Sequence, residues 1–425
     1  MIGRLHDVLD AVESLQPEMM RLVGDVVRIP SVSGTDAEND AQGFMADVFA
    51  RSGLDVDHWH IDLDQLRADP EFPGMEVDRR EAWGLVGRRP GTGDGPSLML
   101  NGHIDVVPIG DSGAWVDPPF EAETRDGRLF GRGACDMKAG LIAAMWAADA
   151  IRSAGVRLRG DLVLASVQGE EDGGLGTFAT LRRGWRANAC VIPEPTSLAM
   201  IPANSGALTF RLRVCGQATH AARRTSGTSA IEKFWPIWQA LAELERRRHE
   251  VIDPRMTRWP LAHPISIGVV HAGDWASSVP DLLVAEGRLG VAIGEPVAQA
   301  RQALEEAVAE ACERDSWLRT HPVLVEWWGG QFASGSIAAD AELVGRVGRA
   351  HCIVTGSERA PEVYGAPYGS DLRLLTGIGG VATLQYGPGD TELAHGPRES
   401  VPVHEVLVTA RTLAALALDI CGVAN

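Results

Sequence analysis

Three short apolar runs in the first half of the chain place the tightest limits on its fold. They read "SLMLNGHIDVV", "DLVLASVQ" and "ACVIP", and each is bounded by Gly, Pro or Asp, as buried strands commonly are. Between the first two lies "AGLIAAMWAADAIRSAG", which is apolar on nearly every face and stops at Gly155, as expected of a covered helix. This alternation predicts an α/β sheet with helices on both faces.

The pattern changes at about Asn204. From there the chain runs strand, helix, strand, strand, helix, strand, which is the βαββαβ order of a ferredoxin-like module. Pro236 interrupts the first of these helices, so a kink or a split is expected there. The α/β style then resumes and ends in a final helix. We therefore predict a smaller domain, residues 204–330, inserted into a larger domain made of residues 1–203 and 331–425.

The charge composition of the chain disfavours some classes of binding partner. The chain of 425 residues carries 39 Lys and Arg against 57 Asp and Glu, a net charge of −18, which disfavours nucleic acid or an anionic membrane as a partner. Its six cysteines lie far apart with no CxxC pair, so neither a disulfide framework nor a zinc ribbon is indicated. The first residues lack the apolar core of a signal peptide, and no run reaches the ~18 apolar residues of a membrane span. We expect a cytoplasmic protein.

Residues able to bind metal follow the predicted strands. His103 and Asp105 lie two apart in "NGHIDVV" and can face the same way, so that the imidazole binds a metal and the carboxylate orients it. A loop histidine beside a solvated aspartate is the alternative. Asp136 lies in the glycine-rich loop "GRGACDMKAG", for which a phosphate cradle is the alternative. That loop does not match GxGxxG, and Asp136 would repel a phosphate.

Two adjacent glutamates, Glu170 and Glu171, follow the run "DLVLASVQ". Burial and repulsion both raise the cost of ionising them, which favours a bound cation or an open cleft, with a polar turn as the alternative. Asp172 beside them is interpreted as a turn residue. Because neighbours at a strand end point in different directions, one glutamate can bind a metal while the other reaches a water. Glu194 in "VIPEPTS" and His395 in "TELAHGP" follow two further strands.

Together these positions supply two imidazoles and three carboxylates. If Asp136 bridges, each of two metal ions receives one histidine, one terminal carboxylate and the shared carboxylate, which leaves a position for water. Imidazole with carboxylate suits zinc, cobalt or manganese rather than calcium. The five predicted ligands are His103, Asp136, Glu171, Glu194 and His395.

The order of these motifs resembles that of the M20 metallopeptidase family, particularly its acetylornithine deacetylase-like and succinyl-diaminopimelate desuccinylase-like deacylases. The stretches "GRGACDMKAG" and "YGPGDTELAH" carry the resemblance most specifically. It implies a catalytic α/β domain with a mixed sheet of the zinc-exopeptidase type, and an inserted ferredoxin-like lid domain through which a homodimer forms. It also implies that His103 and Glu194 hold one zinc ion, that Glu171 and His395 hold the other, and that Asp136 bridges them.

Four further residues take roles from the resemblance. Asp105 supports the first metal-binding histidine, and Glu170 is the general base. His220 in "VCGQATHAA" helps to polarise the scissile carbonyl, often from the partner subunit, with a polar loop histidine as the alternative. Arg373 in "YGSDLRLL" is a candidate contact for a substrate carboxylate, with an ordinary surface arginine as the alternative.

Three positions depart from the family pattern, and all of them concern substrate. Ser277 stands where relatives have an asparagine before a Val-Pro pair, so an amide contact is lost or replaced. Gly290 stands in place of a common strand arginine, and Arg288 lies two residues earlier on the same predicted face. Arg398 follows the last histidine where many relatives have asparagine. We predict substrate contacts for Ser277 and Arg288.

These residues predict a dinuclear metal-dependent amidohydrolase that cleaves the amide bond of a small N-acyl amino acid or a related acylated amine. A dipeptidase or carboxypeptidase on the same scaffold is the first alternative. A non-catalytic metal-binding protein is the second, and a nucleotide-dependent oxidoreductase is the third. The expected partners are a small-molecule substrate and a second copy of the chain.

Overall fold

The computed structural model describes residues 2–424, and these form two compact units. Unit 1 comprises the residues up to 203, residues 336–364 and the residues from 370 onward, and unit 2 comprises residues 204–335 and 365–369. Two short segments that the sequence grouped with the larger domain, 331–335 and 365–369, therefore belong to unit 2.

Helices and strands alternate along most of the described chain. The helices are α1 (Ile2–Val27), α2 (Asp36–Arg51), α3 (Leu63–Arg67), α4 (Ala139–Ser153), α5 (Leu175–Arg182), α6 (Ala230–Arg248), α7 (Val297–Glu313), α8 (Glu342–Thr355) and α9 (Val403–Cys421). The strands are β1 (Asp55–His60), β2 (Trp83–Arg89), β3 (Leu98–His103), β4 (Glu123–Arg125), β5 (Arg128–Phe130), β6 (Leu162–Val167), β7 (Ala189–Ile192), β8 (Met200–Asn204), β9 (Gly206–Cys215), β10 (Ile265–Ala272), β11 (Leu282–Val291), β12 (Leu324–Phe332), β13 (Gly335–Ser336), β14 (Val363–Ala366), β15 (Ala382–Gln385) and β16 (Ser400–Pro402).

A mixed sheet organises unit 1. Strands β6, β3, β7 and β15 lie side by side and run parallel to one another. On one side β2 pairs antiparallel with β6, and β1 pairs antiparallel with β2. On the other side β8 pairs antiparallel with β15. The carboxyl ends of the four parallel strands therefore meet at one edge of the sheet, where open α/β sheets place their binding sites.

Side chains of these strands alternate between two separate cores. On β3, Leu98 and Leu100 pack in the core that contains α1, α4 and α9, whereas Met99 between them packs with Phe178 of α5. This period of two is that of a strand whose two faces are both buried. The predicted α/β sheet with helices on both faces is confirmed.

Helix α4 lies very close to the segment that follows β7. A Cβ added at Gly140 would lie 1.9 Å from the main-chain oxygen of Pro193, so only glycine fits at this position. The rest of α4 is buried on nearly every side, including Trp146 at 2% exposure. The start of α4 and the loop after β7 are thus held in one place, which matters because both carry predicted ligands.

Unit 2 contains a four-stranded antiparallel sheet in the order β10-β11-β9-β12, together with α6 and α7. The chain order of strand, helix, strand, strand, helix, strand is that of a ferredoxin-like module. Helix α6 continues through Pro236 and is not split there. Its first turn is capped by Ser229, whose hydroxyl accepts a hydrogen bond from the main-chain N–H of Glu232. Among residues 2–424, no helix combines the length and the apolar character that crossing a membrane requires.

Candidate metal centre

The predicted ligands collect at the carboxyl edge of the parallel strands in unit 1. Strand β3 ends at His103, and Glu171 and Glu194 follow shortly after the ends of β6 and β7. His395 lies in the loop after β15, and Asp136 lies in the turn that precedes α4. Segments far apart in the sequence are thus brought to one site by the parallel order of the strands.

His103 is almost fully buried, with 1% exposure. Its Nδ1 lies 2.9 Å from the main-chain oxygen of Asp105 and 3.7 Å from the carboxylate of the same residue. The close contact is therefore with the main chain, whereas the sequence predicted a contact through the carboxylate. With the proton on Nδ1, the Nε2 lone pair faces the other predicted ligands, as metal binding requires.

Asp136 lies between the two histidines. Its Oδ1 is 3.1 Å from Nε2 of His103, and its Oδ2 is 3.5 Å from Nε2 of His395. The residue has φ −117° and ψ 98°, so the chain is extended here just before the helix begins. One carboxylate with each oxygen facing a different imidazole is the arrangement that a bridging ligand needs.

Glu170 and Glu171 are held by the side chain of Asp105. Its carboxylate accepts the main-chain N–H groups of Glu170 at 3.2 Å and of Glu171 at 3.3 Å, and the hydroxyl of Ser33 at 3.0 Å. The side chain of Glu171 then reaches His395, with 3.2 Å between Oε2 and Nε2. Glu170 is 7% exposed, and its Oε1 has no hydrogen-bond partner among the described residues. The two neighbours therefore have different surroundings.

Glu194 and His395 complete opposite ends of the cluster. The Oε2 of Glu194 lies 4.0 Å from Nε2 of His103, at the buried end. The side chain of His395 is 52% exposed, and its backbone has φ 59°, a left-handed conformation that is uncommon outside glycine. His103 comes from a strand end, whereas His395 comes from a loop.

The electrostatics of the cluster favour a cation. Burial raises the pKa of Glu170, and the charge of Asp371 adds to this effect. Burial also raises the pKa of Glu194, with the charge of Asp136 contributing next. Burial disfavours the charged form of His103, but the hydrogen bond to Asp136 and the charges of nearby carboxylates outweigh it and raise the pKa of that imidazole. Acidic groups that repel one another in a buried site are stabilised by a divalent ion.

The donor atoms fit a metal centre of the zinc type. His103, Asp136 and Glu171 each offer a ligand atom, and these atoms lie within 4.8 Å of one another. Glu194 and His395 contribute a further carboxylate and a further imidazole at the distances given above. A mixed set of imidazole nitrogen and carboxylate oxygen suits zinc, cobalt or manganese.

Asp172 has a structural role that the sequence analysis missed. It is 4% exposed and accepts a hydrogen bond from Arg79 at 2.8 Å, while Arg79 also pairs with Glu38 at 2.9 Å. Glu38 in turn accepts the main-chain N–H of Gly169 at 2.9 Å. Because Gly169 and Asp172 lie on either side of Glu170, this buried cluster fixes the loop that carries Glu170. The acidic residue was visible in the sequence, but its burial was not, because its partners lie about a hundred residues away.

Arg373, the predicted substrate contact, is 5% exposed. Its two terminal nitrogens donate to the main-chain oxygens of Ser370 at 2.8 Å and of Gly173 at 2.6 Å. In this conformation the guanidinium connects two loops of the site. Asp371 beside it is fully buried and accepts the hydroxyl of Thr177, which places an additional carboxylate near the general-base candidate. Contact between Arg373 and substrate stays a prediction.

The remaining predicted substrate contacts lie in unit 2. His220 and Ser277 are both exposed and come together there, since the N–H of Ala221 donates to the main-chain oxygen of Ser277 at 2.9 Å. Arg288 is exposed on β11, with its guanidinium over the ring of Phe332 at 5.7 Å. A Cβ at Gly290 would lie 2.4 Å from the main chain of His263, which explains why no larger residue fits. Their roles toward substrate stay predictions.

A mixed sheet with two histidines and three carboxylates at one edge defines a candidate metallohydrolase. A family model described as Peptidase family M20/M25/M40 matches residues 99–419, which is more than half of the chain. The chain belongs to this family, and the predicted membership is confirmed.

Relatives over nearly the whole chain are named as deacylases. An N-formyl-4-amino-5-aminomethyl-2-methylpyrimidine deformylase of Halalkalibacterium halodurans is 28% identical over 98% of this chain and 97% of its own length. An acetylornithine deacetylase of Myxococcus xanthus is 29% identical over 85% of this chain and 92% of its own. Among solved structures, the dipeptidase Dug1p of Saccharomyces cerevisiae has a TM-score of 0.77 at 15% identity, covering 97% of this chain and 98% of its own, and shows the fold alone.

Proposed function

We propose that this protein is a metal-dependent amidohydrolase that removes the acyl group from a small N-acylated amino acid or a related acylated amine. The observation that carries the proposal is the buried carboxylate of Glu170, whose Oε1 has no hydrogen-bond partner within residues 2–424, beside a cluster of imidazole and carboxylate ligands. The names of two relatives that align over most of the chain, a deformylase and a deacetylase, support acyl-amine substrates over peptides.

Two divalent ions, zinc in the first place with cobalt or manganese as functional substitutes, fit the ligand set. His103 and Glu194 would hold one ion, Glu171 and His395 the other, and Asp136 would be shared. The distances from Asp136 to the two histidines, 3.1 and 3.5 Å, support this division. Such ions would polarise the scissile carbonyl and lower the pKa of a bound water.

Glu170 is the general base of the proposed reaction. Its carboxylate accepts a proton from the attacking water and then donates it to the leaving nitrogen, so that the amide C–N bond breaks with a neutral amine as product. Burial and the charge of Asp371 raise the pKa of Glu170, which favours holding that proton between the two steps. Asp105 orients Glu170 through the main-chain N–H group.

Residues of unit 2 are proposed to bind substrate. His220 would donate a hydrogen bond to the developing oxyanion. Ser277 and Arg288 would contact the acyl or amine portion, and Arg373 of unit 1 would contact a substrate carboxylate. The exposure of His220, Ser277 and Arg288 supports their availability to a ligand.

The homodimer is proposed to form through unit 2. Helix α6 carries Ile231, Trp235 and Trp238 on one face at spacings of four and three, and these side chains are 53%, 62% and 43% exposed. Strand β10 beside it is an edge strand of its sheet. Large exposed apolar side chains beside an open strand edge support a second copy of the chain as the occupant.

Sedimentation of wild-type protein tests this assembly. We expect a species of twice the 45.4 kDa chain mass, and the variant Trp235→Glu with Trp238→Glu should sediment as a monomer. Gln65→Glu adds a negative charge at an exposed position of α3 in unit 1 and should stay dimeric. A monomeric wild-type protein would contradict the proposed dimer.

The cellular location is a separate proposal. The six cysteines are all free, which supports the proposed cytoplasmic location.

The activity is tested by a hydrolysis panel with cobalt- or zinc-loaded protein. N-formyl, N-acetyl and N-succinyl amino acids and amines are compared with dipeptides, and we expect turnover of one acyl class. Glu170→Gln should keep its metal content while turnover falls by about 10² to 10⁴-fold. The exposed Glu18→Gln removes the same charge as a control. Preferential cleavage of dipeptides, or substantial activity of Glu170→Gln, would contradict the proposal.

A further inference from the structure

Glu399 is a buried carboxylate beneath the proposed metal centre that has no part in the chemistry described above. It is 1% exposed and lies four residues after His395, immediately before β16. Its Oε1 accepts three main-chain N–H groups, from Gly133 at 2.8 Å, from Cys135 at 3.2 Å and from Asp136 at 3.2 Å. A single oxygen thus holds most of the turn that presents the shared ligand.

The other oxygen of Glu399 pairs with Arg132, whose guanidinium is equally buried. A second nitrogen of Arg132 donates to the main-chain oxygen of Pro108 at 3.2 Å. The main chains are also joined, because the N–H of Gly131 donates to the main-chain oxygen of Glu399 at 3.1 Å. The ion pair is therefore part of a connection between the turn before α4 and the loop after β15.

This connection stabilises the position of His395 more than that of His103. His103 is fixed by its own strand and by the main chain of Asp105 at 2.9 Å. His395 has no such support from a strand, because it lies in a half-exposed loop whose far end is anchored at Glu399. The position of His395 relative to Asp136 consequently depends on Glu399 more than the position of His103 does.

We propose that Glu399 is a positioning residue that sets the affinity for the metal ion at the His395 end of the site. By accepting the N–H groups of the turn, it fixes Asp136 at a distance from His395 at which one ion contacts both. This inference rests on the proposed two-metal function. Residues that orient metal ligands from behind change metal affinity by about 10 to 100-fold when they are replaced.

Two double variants isolate the hydrogen bonds from the charge. Arg132→Met with Glu399→Gln keeps an oxygen that can accept the three N–H groups, whereas Arg132→Met with Glu399→Leu has nearly the same size and charge but no acceptor. Both variants avoid a buried unpaired charge, which is the main hazard to folding when one member of an ion pair is removed. The milder Glu399→Asp keeps the charge but is one methylene too short to reach the turn.

Cobalt binding to metal-free protein is measured by calorimetry and by visible absorption, with a thermal melt of each metal-free variant. We expect the Leu variant to lose about 10 to 100-fold in affinity for one of two cobalt ions and to keep the other. The Gln variant should bind both ions within about threefold of wild type, and Glu399→Asp should fall between. Unchanged binding of both ions by the Leu variant and Glu399→Asp, or equal weakening of both ions, overturns the proposal.

Failure of the proposed function gives a different result. If wild-type protein binds two cobalt ions but hydrolyses no acylated amine, the activity is wrong and the positioning role is still decided by the variants. If wild-type protein binds a single ion, the two-metal assignment and the role of Glu399 both fail. If the Leu variant does not fold, Glu399→Asp tests the proposal instead. Weakening of one cobalt ion alone supports the positioning role, and equal or no weakening of the two ions overturns it.

Discussion

The two ends of the candidate metal centre are built in different ways. At one end His103 terminates a buried strand, is 1% exposed and is tied by Nδ1 to the main chain of Asp105 at 2.9 Å. At the other end His395 lies in a loop, has φ 59° and is 52% exposed at its side chain. Asp136 is common to both. At the first end the sheet itself positions the histidine, whereas at the second end the histidine lies in a loop that contacts from other residues hold in place.

This difference has a consequence for metal binding. A ligand already fixed by its strand loses little freedom when an ion binds, whereas an exposed loop histidine must be ordered in the process. The His103 end should therefore bind its ion more tightly than the His395 end. The predictions below test this ranking, and they run from the largest expected effect to the smallest.

Removing each histidine in turn should give unequal results. Structural zinc in four-ligand sites is bound by about 10 to 16 kcal/mol, so one ligand is worth about 2.5 to 4 kcal/mol, or roughly 100-fold to 1,000-fold in affinity. His103→Ala should lose that much from the tighter cobalt ion and leave buried carboxylates unpaired. His395→Ala should weaken the looser ion alone and leave the tighter one within about threefold.

Equilibrium dialysis with cobalt, followed by metal analysis, measures both affinities. His6→Ala removes an exposed histidine of α1 and should bind as wild type does. If His395→Ala weakened the tighter ion as strongly as His103→Ala does, the two ends would not be independent and the comparison would fail.

The sequence predicted the part of the site that strands deliver. His103, Glu170 and Glu194 each follow closely on an apolar run, so the run and the polar residue after it are visible together. The α/β sheet of unit 1 and the ferredoxin-like order of unit 2 follow from the same periodicity. Local pattern is sufficient here because a strand fixes the direction of the residue at its end.

The supporting residues were not predictable in this way. Arg79 pairs with Glu38 and Asp172, which lie 41 and 93 residues away in the sequence, and Glu399 reaches a turn 263 to 266 residues away. No periodicity links such partners, because the fold alone brings them together. The acidic character of "GEEDGG" was visible, but which acid faces a metal and which faces an arginine is decided by packing.

The second prediction concerns Arg79, which supports the loop of Glu171 and therefore the weaker end. Its side chain is 1% exposed and pairs with Glu38 at 2.9 Å and Asp172 at 2.8 Å. Arg79→Met leaves two buried carboxylates without their cation and should lower the free energy of unfolding by about 3 kcal/mol. Urea denaturation of the metal-free protein measures this change.

The same variant also tests whether the two ends of the site differ in cobalt affinity. Because Asp172 follows Glu171 directly, Arg79→Met should weaken the cobalt ion at the His395 end by about tenfold and change the other by less than about threefold. Arg4→Met replaces an exposed arginine and should change neither stability nor binding. Full stability in Arg79→Met would show that the buried cluster is not needed to hold the loop.

The smallest effect expected is the pH dependence of metal binding. Burial opposes the charged form of His395, but the charge of Glu171 and the hydrogen bonds to Asp136 and Glu171 raise the pKa of that imidazole to about 11. The pKa of His103 is also raised, with burial outweighed by the bond to Asp136 and nearby charges. The raised pKa values favour imidazoles that are protonated on both ring nitrogens, and a metal ion must displace one of these protons.

Raising the pH removes this competition. Apparent cobalt affinity should therefore increase by about threefold for each proton displaced when the pH rises from about 7.0 to about 7.5. Calorimetry in two buffers of different ionisation enthalpy counts the protons, and we expect about one per ion. His395→Ala should abolish proton release at the weaker end and leave the slope of the tighter ion unchanged. An affinity independent of pH over this range would mean that the imidazoles are already neutral, and the two ends would then differ in geometry alone.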